Sequence, residues 1–146
     1  MRVERAIDLP APPDEVYELL MDPARLEDWV TIHGGLEDAP DRLEQGSKLT
    51  QHLKVAGQRF TVRWTVTEDD RPSKVIWEGT GPARTTARVA YDLEEHDGGT
   101  RFSYLNEYEL PGGAAGRIAG RAISAAAGRE VERSLERLKQ VLDDEG

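Results

Sequence analysis

The sequence contains no cysteine, so neither a disulfide framework nor thiolate chemistry is available to it. Aromatic residues are scarce at 6%. Positive charge is in deficit: 19 Lys and Arg face 28 Asp and Glu, for a net charge of −9. Such a balance argues against nucleic-acid phosphate or an anionic membrane surface as partner. No apolar run approaches the length of a membrane span. The first residues lack the basic segment and apolar core of a secretory signal. A cytoplasmic location, with no insertion into membranes, is the expectation.

Several chemical signatures are also missing. No H-E-x-x-H or comparable ligand spacing occurs, so no metal site is expected. A G-x-S-x-G nucleophile motif is absent. No G-x-G-x-x-G follows a strand, so no dinucleotide cofactor is expected either. With 146 residues, the chain reads as a single domain spanning 1–146.

The last helical segment, roughly Ala114 to Asp143, organises what is present. Ile123, Ala127, Val131, Leu135, Leu138 and Leu142 form one stripe at the helical period. Glu130, Glu132, Arg133, Glu136, Arg137 and Lys139 are assigned to the other faces. From Ala114 to Gly128 nearly every residue is Ala or Gly, although Gly costs about 1 kcal/mol in a helix interior. Smallness is therefore wanted there: one half of the helix grips a sheet and the other leaves room beneath it. Arg117, Arg121 and Arg129 on this helix are read as a solvated face.

Upstream, Arg2 to Leu9 alternates as a strand. Pro12 and Pro13 open a short helix with buried Val16, Leu19 and Leu20. Asp22 and Pro23 start a second, with Leu26, Trp29 and Val30 on its apolar side. Gly34 and Gly35 punctuate, and a loop is expected from there to Gly46. The period then becomes two: Leu49 to Val55, Phe60 to Val66, Val75 to Gly79, Thr85 to Leu93 and Phe102 to Leu110 read as strands joined by hairpins. Ala56-Gly57 and Asp97-Gly98-Gly99 are the turns. The pattern is α+β: a strand, two short helices, about six antiparallel strands and a long helix that covers the sheet.

"LPAPPDEVYELLMDPARLEDW", "QGSKLTQHLKVAGQRFTVRWTVTE" and "GGTRFSYLNEYEL", with the long terminal helix, resemble the helix-grip, START-like SRPBCC superfamily and its polyketide cyclase/dehydrase branch. "WVTIH" followed by "LEQGSKL" is similar to an actinobacterial subgroup in which one member is described as the toxin of a toxin–antitoxin pair. The resemblance implies a curved sheet of about six to seven strands wrapped around the C-terminal helix. It also implies a cavity between them for a small, largely hydrophobic molecule, aromatic, polyketide-like or lipid-like.

Trp29, Trp64, Trp77, Tyr91, Tyr104, Tyr108, Ile123 and Ala127 are the expected cavity walls. Gln51 and Asn106 share strand faces with apolar residues, where a polar amide needs a partner. They either line the cavity or belong to a satisfied buried network. His33 stands at the helix-to-strand transition, as a cavity-mouth group or a partly exposed loop histidine. Ligand binding is the leading reading. A cyclase/dehydratase using His33 and Tyr108, with Tyr91 and Asn106 in support, is the second, and a toxin-like protein-partner role the third. A monomer or homodimer is expected.

Overall fold

The computed structural model describes the backbone of residues 2–55, 57–109 and 114–145, and the side chains of these except 114–124. Strand β1 (Arg2–Leu9) leads into helix α1 (Pro13–Leu20). Proline at the first turn and Asp14 and Glu15 beside the helix N-terminus favour α1 locally. Its Val16, Tyr17, Leu19 and Leu20 are buried. The predicted Asp22 cap is present, its carboxylate accepting from the Ala24 N–H at 3.1 Å. A tight turn, Pro23–Arg25, then leads into a single helical turn α2, Leu26–Trp29.

Seven strands form one antiparallel sheet in the order β1-β7-β6-β5-β4-β3-β2. They are β2 (His33–Glu37), β3 (Lys48–Val55), β4 (Gln58–Asp70), β5 (Lys74–Thr80), β6 (Thr86–His96) and β7 (Gly99–Tyr108). β2 corrects the expectation of a loop after Gly34. The glycines disguise a strand that pairs with β3 around a bulge between His33 and Gly35. Gly35 sits at this bulge with a φ of 140°, a conformation that favours glycine, so the residues that looked like breakers belong to the ladder. The β6–β7 hairpin turns through Asp97 and Gly98, both at positive φ (49° and 82°), which matches the right-handed twist of its strands. The turn expected at Ala56-Gly57 lies partly outside the described residues.

Helix α3 (Ala114–Glu145) lies against β1 and α2 and reaches β3. Ala127, Val131, Leu135, Leu138 and Leu142 of the predicted stripe are buried. The side chains of Ile123, Arg117 and Arg121 lie outside the described residues. At Gly128 smallness has a visible reason: a Cβ there would meet Arg5 Nη2 at 3.1 Å. Arg5 crosses this point to pair through Nε with Glu132 at 2.9 Å.

The inward faces of β4 to β7 carry most of the chain's few aromatic residues as one connected band. Trp64 meets Trp77 edge-on at 6.1 Å, and Trp77 meets Tyr91 at 6.0 Å. Tyr91 then touches Phe102 at 5.3 Å and Tyr104 at 5.8 Å, while Trp29 approaches from α2 at 6.3 Å. Tilted and edge-to-face rings of this kind add to the stabilisation from buried area. Gly79 makes the band possible, because a Cβ there would come within 2.7 Å of both Trp64 and Val62.

Away from the band, a polar cluster anchors α1. The Tyr17 hydroxyl donates to Asp69 Oδ1 at 2.6 Å, and Arg71 Nε donates to Asp69 Oδ2 at 3.2 Å. The Arg71 guanidinium also lies 5.0 Å from the Tyr17 ring centre, and its Nη2 donates to the Leu43 carbonyl. Burial and the neighbouring carboxylate push the Tyr17 phenol well above its ordinary range. This cluster ties α1 and the loop before β3 to the β4–β5 hairpin.

Candidate functional site

Between the sheet and α3 the described residues enclose two small chambers. The first, about 70 Å³, is lined by Trp29, Gln51, Trp64, Trp77, Tyr91, Tyr104 and Asn106. Ala127, Glu130, Val131, Ser134 and Leu135 close it from α3. The second, about 100 Å³, is lined by Phe60, Val62, Trp64, Asn106, Tyr108 and Ala127 among others. Ile32, Leu53, Trp64, Asn106 and Ala127 border both. Of the residues read as walls, Trp29, Trp64, Trp77, Tyr91, Tyr104 and Ala127 line the first chamber and Tyr108 only the second, while the Ile123 side chain lies outside the described residues. A larger open concavity of about 850 Å³ is lined mostly by the polar groups Arg63, Thr65, Glu78, Arg88 and Glu107. Solvated charges of both signs give an apolar molecule little to bind there.

Gln51 is buried at 7% exposure and is bonded at both ends of its amide. Trp64 Nε1–H donates to its Oε1 at 3.0 Å. An indole is only a donor, so this contact orients the amide. Gln51 Nε2 therefore donates to His33 Nδ1, 2.9 Å away. His33 must then be neutral, with its proton on Nε2. Burial lowers the His33 pKa from its ordinary value of 6.5, against a smaller opposing pull from the Glu27 carboxylate. His33 lines neither chamber; it stands behind Gln51 and holds it.

The linkage has a definite sign. Well above pH 6.5 His33 is neutral in both the folded and unfolded chain. As pH falls below 6.5, the unfolded chain takes up a proton before the native one does, and stability falls. The loss stops growing below the native-state pKa. Thermal melts from about pH 8 to pH 5 are expected to show this decline, with a shallower one in His33→Gln. Identical slopes in the two proteins would remove His33 from the pH response.

Other polar groups of the first chamber are less satisfied. The Nε1–H groups of Trp29 and Trp77 are buried and have no hydrogen-bond partner among the described residues. Burial raises the Tyr91 phenol well above its ordinary value. It pushes Tyr104 up to about 12, partly offset by a hydrogen bond with Asn106. Both phenols stay protonated at neutral pH.

Strand alternation does not single out Thr31, Glu130 or Ser134. The Thr31 N–H donates to Ser134 Oγ at 3.0 Å, and the Thr31 hydroxyl donates to Glu130 Oε2 at 2.5 Å. These bonds pin the α2–β2 connector, whose Val30 and Ile32 form chamber wall, onto α3. Glu130 and Ser134 follow Ala127 by three and seven positions, so they border the apolar stripe. That spacing is the signal the sequence offers. The helical pattern assigns Glu130 to the outer faces, and the structure corrects this by placing it at the chamber.

A family model described as "Polyketide cyclase / dehydrase and lipid transport" matches residues 1–143. The chain belongs to this family. Among similar sequences of Mycobacterium tuberculosis, the uncharacterized protein Rv1546 is 29% identical over 140 residues, which is 95% of this chain and 96% of that one. The toxin Rv0910 is 24% identical over 136 residues, covering 92% and 93%. The crystal structure of TTHA0849 from Thermus thermophilus superposes with a TM-score of 0.85 at 19% identity, over 100% and 99% of the two chains. The Zhui aromatase/cyclase from Streptomyces sp. R1128 gives 0.81 at 17%, over 98% and 93%. The seven-stranded sheet with its long C-terminal helix is the helix-grip fold of these neighbours. No described helix is long and apolar enough to cross a membrane.

Proposed function

We propose that this family member binds a small, largely hydrophobic molecule between the aromatic band and α3. One observation carries the reading: Trp29 and Trp77, whose buried indole N–H groups have no partner among the described residues, line a chamber that joins aromatic and aliphatic walls to a few polar groups, Gln51 and Asn106 among them. Apolar walls with a few oriented polar points are the usual construction of a small-molecule site. Trp29, Gln51, Trp64, Trp77, Tyr91, Tyr104, Asn106, Tyr108 and Ala127 are the proposed ligand-facing residues. A cavity of about 150 Å³ can hold benzene. Neither chamber reaches that alone, so the ligand spans both, past the residues that border the two, Ile32, Leu53, Trp64, Asn106 and Ala127.

A catalytic reading requires an acid or base placed against the substrate. His33 is held behind Gln51, and the phenols of Tyr91 and Tyr104 are pushed toward their neutral form. These features favour binding over turnover.

Fluorobenzene followed by fluorine NMR tests the proposal. Saturable, one-site shift or broadening with the native protein is expected. A linear, non-saturating response up to the solubility limit would overturn it.

A further inference from the structure

The charge of the chamber says more than its shape. Among the described residues lining the first chamber, Glu130 carries the only formal charge. The second chamber likewise has one carboxylate, Glu109, and neither is lined by a described Lys, Arg or His. The chain as a whole carries −9. Among the described residues an anionic ligand would therefore find no counter-charge to replace its lost hydration, which is costly away from water.

Conditions for a cation are the reverse. The Glu130 side chain is 24% exposed, so its carboxylate is only partly screened. Oε2 accepts from Thr31, and Oε1 accepts from Arg133 at 2.7 Å. A carboxylate has about four acceptor positions, so capacity remains on both oxygens. Arg133 is 66% exposed, and an ion pair of that kind is weak. Trp29, Tyr91 and Tyr104 share the chamber and offer ring faces that attract cations. The indole N–H groups of Trp29 and Trp77, without a partner among the described residues, remain for an acceptor atom elsewhere on the ligand.

We infer that the site selects an apolar molecule bearing a protonated amine, held at Glu130 among the aromatic rings, and rejects the corresponding carboxylate. This rests on the binding reading above and adds the charge class of the ligand.

Three probes of matched ring and different charge decide it: para-fluorobenzylamine, para-fluorobenzyl alcohol and para-fluorobenzoate. Each is titrated into the full chain by fluorine NMR near neutral pH, in about 0.15 M salt to suppress attraction to the acidic surface. The amine is expected to bind at least about tenfold more tightly than the alcohol, and the benzoate to show no saturable binding. Glu130→Gln, which keeps an acceptor for Thr31, should bring the amine to parity with the alcohol. Glu130→Asp should retain a preference. Glu136→Gln, an equal charge change at an exposed position of α3, should retain all of it. Equal binding of amine and alcohol by the native protein overturns the inference, as does benzoate binding that matches the amine. So does an amine preference that survives Glu130→Gln. If the alcohol binds without an amine preference, only the charge inference falls. If none of the three binds saturably, the binding reading falls with it.

Discussion

Replacing Ala127 by leucine is expected to cut the affinity for fluorobenzene by about tenfold or more while leaving thermal stability equal or higher. Ala127 borders both chambers and is 8% exposed. The added side chain enters space that the fold already encloses. Apolar area it removes from water is worth about 25 cal/mol per Å². The same atoms occupy volume the ligand needs. A helix packed tightly on the sheet would respond oppositely, because overpacking a filled core costs about 1–3 kcal/mol. A thermal melt and one titration separate the cases. A clearly destabilised Ala127→Leu protein that still binds the probe normally would show that this part of α3 roofs no ligand space.

Leu138→Ala, eleven positions further along the same stripe, should behave in the opposite sense. Leu138 is fully buried, with 0% exposure, and lines neither chamber. Truncation there removes buried methyl groups and leaves a cavity the surroundings only partly refill. A cost of about 2–5 kcal/mol is expected. For a domain of this size that lowers Tm by roughly 5–15 °C. Fluorobenzene affinity, measured well below the transition, should change little, since the site lies up the helix. A drop smaller than about 1 kcal/mol would mean that the far end of α3 is not a solid anchor. Adding bulk at Ala127 and removing it at Leu138 thus probe the two halves of one helix with opposite expected signs.

Much of the site is legible in the residue pattern. Period-two alternation places Trp64, Tyr91, Tyr104, Asn106 and Tyr108 on inward faces, and a strand's side chains must obey that period wherever the strand lies. The stripe of α3 is readable for the same reason at its own period. β2 is not, because Gly34 and Gly35 are turn residues by composition and become strand residues only when β3 offers them a ladder. Glu130 escapes because a helix border faces either solvent or interior according to what crosses it.

Composition and periodicity alone determined the α+β architecture, the inward aromatic set, the small-then-bulky helix and the absence of cysteine chemistry. These are local properties: each follows from side-chain type and from a repeat of two or 3.6 residues along the backbone. Tertiary structure decided the rest. It set Gln51 between Trp64 and His33, partners 13 and 18 residues away. It carried Thr31 to Ser134 across 103 residues. It turned Glu130 toward the chamber and left His33 behind its wall. Those placements depend on how a twisted sheet curves and where one helix crosses it, and no local repeat encodes that geometry.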